Sequence, residues 1–530
     1  MNFFKKQRKN SDNFSSSEDD QNKESNKDSI KTSLEGNIQH VKQRIGNSSD
    51  IVTREIQIGK EGIIKACIFY TDGLVDINSI QNFIMESLML DIYPDQDLND
   101  IDSTNVLQVL KDRILAVGNI QDVTEFSSLM TSLLSGDVIL LLDGYAQGLT
   151  IGMRGGKDRG VMESTAETVV RGPKEGFTEN LRTNTALIRR KIKTSQLWLE
   201  SKKIGKLTKT DVAIMYIDGI VNDKIVEEVH RRLDRIDIDG ILEGGYIEEL
   251  IQDAPYSPFP TIYYSERPDV IAGELLEGKV AILVDGTPFV LVVPALFVSF
   301  IHAAEDYYQR ADISTLIRLL RFLSLLIALL GPSLYIAITT FHQEMLPTQL
   351  LIGLAEQREG VPFPAFIEAL MMEAAFEILR EASLRMPKAI GQAISIVGTL
   401  VIGSAAVEAG IISAAMVIVV AITAISSFVS PAFAMSMSIR MLRFPMMALA
   451  ASFGLFGIIV GFIALILHMC NLRSFGVPYM SPFGPFIRED IKDTFIRAPW
   501  WRMLTRPRLI SQKNNKREQA SAPKPPRNKM

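Results

Sequence analysis

Between Leu319 and Met469 the chain strings together apolar runs of some twenty residues. Five compete as membrane spans: about Leu319 to Phe341, Pro364 to Ala382, Ala389 to Val407, Ile411 to Ser436, and Pro445 to Met469. At a helical rise of about 1.5 Å per residue, each is long enough to cross a bilayer core of about 30 Å. Lipid offers the backbone no hydrogen-bond partner, so these runs predict a transmembrane helix bundle over 319–469. Small residues pattern several of them. Gly391, Ser395 and Thr399 recur at four-residue spacing, and Gly457 to Gly461 is a GxxxG with Gly454 one turn before it. Such stripes let helix backbones approach closely, which predicts tight packing and a homo-oligomer, although packing within one chain explains them equally well.

One run breaks the pattern. "PFPAFIEALMMEAAFEILREASLRMPK", Pro362 to Lys388, carries Glu368, Glu373, Glu377 and Glu381 among Phe, Leu, Met and Ala. At about 100° per residue, Glu373, Glu377 and Glu381 share one helical face and Glu368 falls outside it. A carboxylate facing hydrocarbon is costly, so the stripe must meet water, a cation, or a basic partner such as Arg380 or Arg385. Glu381 and Arg385 have the i,i+4 spacing of an ion pair. Two readings stand. The helix lies in the interface with its acids in water, or copies of it surround an axis where rings of Glu373, Glu377 and Glu381 form an ion path.

Charge in the flanks bears on topology. After Met469 the chain carries 13 Lys and Arg against 4 acidic residues, which favours the cytoplasm for 470–530. The start, "MNFFKKQRKNSDNF", has basic residues but no apolar stretch behind them, so the amino-terminal half is expected to stay cytoplasmic as well. Both ends on one side require an even number of spans. Arg385, Lys388, Arg440 and Arg443, read as residues of short loops, would favour five instead.

Ahead of the apolar region the composition is that of a soluble protein, and it is duplicated. "CIFYTDGLVD" at Cys67 to Asp76 recurs as "AIMYIDGIVN" at Ala213 to Asn222, and "GDVILLLDG" at Gly136 to Gly144 as "GKVAILVDG" at Gly278 to Gly286. Two matched pairs in the same order predict two similar α/β domains. Helical periodicity at Ile225, Val229, Leu233 and Ile236 supplies the layer against the strands. The expected organisation is a disordered polar tail at 1–50 and α/β copies at 51–160 and 210–300. A connecting basic helical segment at 161–209 joins the copies, and 301–318 leads into the membrane. "ILVDGTPFVLVVPALFVSFI" is apolar enough to pass for a span, but its counterpart "LLLDGYAQGLTIGMRG" is too polar for lipid, so Val280 to Val293 is assigned to a soluble hairpin. In the connector, Thr178 is a candidate N-cap and Leu181, Ile188 and Ile192 recur at helical spacing. Its Arg182, Arg189 and Arg190 are either a solvated face or a contact for a partner.

Nothing in the sequence assembles a catalytic centre. Cys67 and Cys470 stand far apart with no CxxC spacing, and the five histidines lack ligand spacing. "GMRGGKD" at Gly152 to Asp158 has its first glycine misplaced for a phosphate loop and Asp158 where Ser or Thr would hold magnesium. Asp72, Asp143, Asp218 and Asp285 all precede glycine, which marks turns. No cofactor or metal is expected.

Several long stretches in order carry a family resemblance: "ETVVRGPKEGFTENLRTNTALIRRKI", "EDYYQR", "GTPFVLVVPALF", the glutamate-bearing run, "GQAISIVGTLVIGSAAVEAG" and "APWWRMLTRPR". Together, over about Ala66 to Arg508, they resemble the A subunit of the GerA-type spore germination receptors of endospore-forming bacteria. The resemblance implies a non-enzymatic, multi-pass protein of the spore inner membrane. It implies two partners, a B subunit resembling amino-acid transporters and a C subunit lipoprotein, with no nucleic acid. It further implies an oligomeric, nutrient-gated cation channel. A secondary transporter or a non-conducting membrane scaffold are the alternatives from other classes. A transporter should show inverted hydropathy repeats, and the repeat here is confined to the soluble part.

Overall fold

In the computed structural model the described residues are 28–58, 64–85, 107–108, 110–111, 119–155, 163–164, 167–385 and 403–517. The stripe Gly391, Ser395, Thr399 and most of the run Ala389 to Val407 lie outside them.

Alternating apolar residues bury the strands on both faces, and the two copies build the same sheet. The first comprises α1 (Leu34–Arg44), β1 (Ile51–Ile58), β2 (Ile64–Thr71), β3 (Ile120–Val123), α2 (Phe126–Leu133), β4 (Val138–Leu142) and β5 (Gly148–Ile151). The second comprises α3 (Leu181–Lys191), β6 (Leu197–Ile204), β7 (Thr210–Ile217), α4 (Asp223–Asp234), α5 (Gly244–Ile251), β8 (Tyr263–Ser265), α6 (Pro268–Leu276), β9 (Val280–Val284) and β10 (Val290–Val293). The strand orders, β1-β2-β4-β5-β3 and β6-β7-β9-β10-β8, correspond strand for strand. Every pairing within them is antiparallel. Successive residues of β7 face opposite cores. Val212, Ile214 and Tyr216 meet α4 and α5, whereas Ala213, Met215 and Ile217 meet α3 and α6. Val280–Val284 and Val290–Val293 pair as an antiparallel hairpin within the sheet of the second copy.

Three expected boundaries move. Within the tail read as disordered, 28–50 is folded. Ser33 caps α1 by accepting from Gly36 N at 3.3 Å, and Leu34, Ile38 and Val41 pack on the first sheet. The segment read as a connector holds α3 and β6, which belong to the second copy. Its helix is capped by Asn180, accepting from Thr183 N at 3.0 Å, and not by Thr178. The carboxy-terminal segment, expected as a basic cytoplasmic tail over 470–530, folds back on the second copy. Phe475 and Ile510 enter its core, and Ser511 donates to the Ile220 carbonyl at 2.9 Å.

The helical layer contains α7 (Ala311–Phe341), α8 (Thr348–Glu359), α9 (Ala365–Arg385), α10 (Gly403–Glu408), α11 (Ala414–Phe428) and α12 (Phe433–Asn471). Of these, α7 and α12 are long and apolar enough to cross a membrane. Pro332 sits inside α7, whereas Pro431 lies in the break between α11 and α12, which divides the run read as Ile411 to Ser436. Gly454, at φ 62°, is non-helical and splits α12 into 433–453 and 455–471. A Cβ added at Gly461 would stand 2.9 Å from Met446 Sδ, and one at Gly457 would stand 2.3 Å from the Leu449 carbonyl oxygen. Residues this far apart in sequence touch only if the two halves fold back on each other. The turn itself abuts Phe341 and His342 at the end of α7. The Gly454, Gly457 and Gly461 stripe therefore closes a hairpin within the chain. The second copy leads directly into α7 and the segment after α12 returns to that copy, so the chain enters and leaves the helical layer on the same side.

Candidate functional site

The charges of α9 are met by arginines from far along the chain. Glu373 pairs with Arg443, both buried, and Arg443 Nε also donates to the Ala328 carbonyl of α7 at 2.7 Å. One turn on, Arg440 Nη1 donates to Glu377 Oε2 at 2.9 Å. The order 373, 377 against 443, 440 sets α9 antiparallel to the first half of α12. Glu381 is exposed and accepts from Arg385 at 2.6 and 2.8 Å, the i,i+4 pair its spacing predicted. Glu368 is buried on another side. Its Oε2 accepts from Ser413 N at 3.1 Å and Ser413 Oγ at 2.9 Å, at the amino end of α11, where the helix dipole favours an anion. Arg358 Nε lies 3.5 Å from its other oxygen.

Arg440 and Arg443 are thus residues of a packed helix, not of short loops, and they no longer argue for five spans. Removing one member of the Glu373–Arg443 pair would leave an uncompensated buried charge, at a cost of about 3–5 kcal/mol. Among the described residues, neither Glu373 Oε1 nor Glu377 Oε1 has a hydrogen-bond partner, nor has Arg443 Nη2. Arg380, proposed from sequence as a partner of the acidic stripe, stacks over Phe428 with its guanidinium carbon 4.7 Å from the ring centre. Sequence spacing placed Glu373, Glu377 and Glu381 on one face, but it could not supply partners more than sixty residues away.

The basic residues of α3 serve the joint between the two copies. Arg189 is 1% exposed and bidentate to Asp50 at 2.7 and 2.9 Å, so it is not a surface for a partner. Arg182 reaches Asp72 of the first copy at 2.8 Å. Arg190, the third of the set, follows at the exposed side of the same helix. Leu199 N donates to Ser48 Oγ at 3.1 Å beside them.

A second charged cluster, which no motif announced, ties the second copy to the helical layer. Asp306, 2% exposed, accepts from Arg318 Nε at 3.0 Å and from Arg321 Nη1 at 2.7 Å. Arg318 Nη1 reaches Asp493 of the carboxy-terminal segment at 2.8 Å, and Tyr307 donates to the same carboxylate at 2.9 Å. Burial pushes the Asp493 carboxyl above its ordinary range against the pull of Arg318. Burial, reinforced by Arg318, drives His302 beside it well below the usual imidazole value. These residues bring together the turn before α7, α7 itself and the segment after α12. Among the described residues no group of three or more His, Cys, Asp or Glu could hold a metal.

Over residues 39–509 the chain matches the family described as Bacillus/Clostridium GerA spore germination protein. The chain belongs to the GerA family. Among GerA-type relatives, it is 49% identical to spore germination protein KA of Bacillus subtilis, over 92% of this chain and 89% of that one. It is 38% identical to spore germination protein GerLA of Bacillus cereus, over 91% of this chain and 97% of that one. It is also 46% identical to the uncharacterized membrane protein YfkQ of B. subtilis, over 92% and 93%. A crystal structure of the N-terminal domain of the A subunit of the Bacillus megaterium spore germinant receptor GerK3 matches at 46% identity. That match covers 51% of this chain and 97% of that one, with a TM-score of 0.41. GerA membership and the two long apolar helices together support a membrane-associated role in spore germination.

Proposed function

We propose that this chain is the A-type membrane subunit of a nutrient germinant receptor and works as an oligomeric, nutrient-gated cation channel. In this reading it sits in the spore inner membrane as a multi-pass protein, with both α/β copies and the carboxy-terminal segment in the cytoplasm. Its partners are a B subunit that binds the nutrient and a C subunit lipoprotein.

The observation that carries the reading is the pair of ionic contacts between α9 and the first half of α12, Glu373 with Arg443 and Glu377 with Arg440. Buried ions in an apolar layer are costly and mark ion pathways or switches. Each carboxylate keeps one oxygen without a hydrogen-bond partner among the described residues. In the resting form the arginines neutralise the acids that would otherwise attract cations. A nutrient-bound partner that prefers a form with α9 and α12 separated would free Glu377, then Glu373, toward the path that ends at exposed Glu381. The equilibrium shifts only as far as the partner's differential affinity for the two forms allows.

Glu377→Gln tests this in spores. Cation release or germination rate should change while receptor abundance does not, because one member of the switch has lost its charge. Unchanged release would remove Glu377 from the path. In liposomes, the chain with its B and C partners should pass monovalent cations, and neutralising Glu373, Glu377 and Glu381 should abolish the flux. No flux from a folded assembly under any partner condition would replace the channel with a non-conducting scaffold.

A further inference from the structure

Beside the Asp306 cluster lies a cleft of about 480 Å³, within the range of small-molecule sites. Its walls come from three parts of the chain: α6 of the second copy, the turn 296–304 that leads to α7, and the segment after α12. We infer that this cleft is a binding site for an uncharged, mainly apolar ring compound. This inference stands on the chemistry of the walls and is independent of the channel reading.

Two features of the walls set the ligand class. The first is that most of their charges are paired within the chain. Lys279 is held by Glu274 and donates to Ser299 Oγ at 2.9 Å. Asp269 accepts from Arg267 at 2.6 Å and from the Tyr308 hydroxyl at 2.6 Å. Asp493 is held by Arg318, and Arg506 Nε donates to the Leu276 carbonyl at 2.8 Å. A charged ligand at Asp269, Glu274, Lys279 or Asp493 would have to break an ion pair and leave its partner uncompensated, whereas a neutral one leaves these pairs intact. The second feature is the remaining surface. Leu296, Met503 and Ile510 are buried apolar residues of the lining, and Tyr307 and Trp500 stand with ring centres 5.8 Å apart at its edge. Aromatic rings offer a neutral ring edge-to-face or offset contacts in addition to area burial.

Gly273 of α6 supplies a clean test. It lines the cleft, and a Cβ added there meets nothing within 4 Å. Gly273→Phe therefore projects a ring into the cleft without a clash at the backbone, and replacing a helix-interior glycine favours α6. The experiment is calorimetric titration of the full chain in lipid nanodiscs with indole, using empty nanodiscs as the blank. Indole should bind saturably, at one site per chain, in the range of about 0.1–1 mM for so small a ligand. Indole-3-acetate and tryptamine, which add one negative or one positive charge to the same ring, should bind at least about tenfold more weakly. Gly273→Phe should abolish indole binding, and Val270→Phe, one turn earlier on α6, should weaken it, with thermal unfolding unchanged or raised. Absence of saturable binding above the blank would overturn the inference. So would a Gly273→Phe chain that binds like the parent, or charged analogues that bind as well as indole.

Discussion

The two α/β copies share a scaffold down to single hydrogen bonds and differ in what is attached to them. Asp143 accepts from Leu34 N and Asp285 from Leu181 N, each at 3.0 Å. Asn37 clamps Lys31 at 3.0 and 2.6 Å as Asn184 clamps Thr178 at 2.8 and 2.6 Å. Only the second copy carries the segment that follows α12, and only it continues into α7. The helix Asp223–Asp234 packs Ile225, Val229 and Leu233 against one face of its sheet, and Phe475 seals that core from outside. Duplication supplied a rigid frame twice, and one frame was then fastened to the helical layer at both ends. A change in the helices thus reaches the second copy first. The first copy meets it through the joint that Asp50 and Asp72 make with Arg189 and Arg182.

The attachment is where the copies should separate most. Phe475 is 4% exposed, at φ 48° in the two-residue turn between Ser474 and Val477, and the Arg232 guanidinium carbon stands 4.1 Å from its ring centre. Phe475→Ala opens a cavity in the second core and strips Arg232 of its aromatic cover. The expected cost is about 3–5 kcal/mol, borne by the second copy. Pulse proteolysis of the full chain, with fragments identified by mass, should show the second copy cleaved at lower urea and the first unmoved. Equal loss in both would mean that they unfold as one unit and that the attachment is shared.

A smaller asymmetry follows from pH. Burial pushes Glu167 from the ordinary carboxylate range up to about 7, against the hydrogen bond from Ser265 and the charge of Arg267, with Glu266 and Asp269 raising it further. Burial does the same to Glu248, also to about 7, with Glu243 beside it. Both pack on the second copy. A carboxyl that holds its proton more tightly when folded contributes stability that is fully present below its unfolded value near 4.5. That contribution is lost as pH rises through about 7. Each of the two should therefore cost the second copy roughly 2–3 kcal/mol between pH 5 and pH 8 for a shift of this size. Glu167→Gln should flatten the slope, as read from urea midpoints at the two pH values. A first copy that loses as much would place the titrating groups elsewhere.

What the sequence disclosed follows the range of the interactions. The repeat, the Asp-Gly turns and the hairpin of the second sheet rest on local alternation, so they were legible. The acidic face of α9 was legible for the same reason, since 100° per residue is a local rule. Its partners were not, because Arg440 and Arg443 lie 63 and 70 residues from the acids they hold. The glycine stripe announced a close contact without saying which surface it met. Helix α1 was missed because Leu34, Ile38 and Val41 are diluted among Lys, Ser, Gln and Asn, and the mean composition of 1–50 outweighs three residues at helical spacing. The fold-back of the carboxy-terminal segment was hidden likewise, since Phe475 and Ile510 belong to no helical or alternating pattern.

The smallest expected effect is the most direct test that the copies are equivalent. Glycine after Asp143 and Asp285 adopts φ 86° and 91°, which is why Asp-Gly reads as a turn. Each aspartate does more than shape that turn, since it accepts from the first backbone N–H of α1 or α3, a donor with no partner inside its own helix. Replacing either by alanine removes both the acceptor and a negative charge at a helix amino end, at about 1 kcal/mol. Asparagine keeps the oxygen and should recover most of that loss. If the scaffold is truly repeated, Asp143→Ala and Asp285→Ala should shift the urea midpoint of their own copies by equal amounts without changing the slope. A larger shift at Asp285 would mean that α3 also transmits strain from the joint it makes through Arg189, and the second copy's role would begin at its first helix.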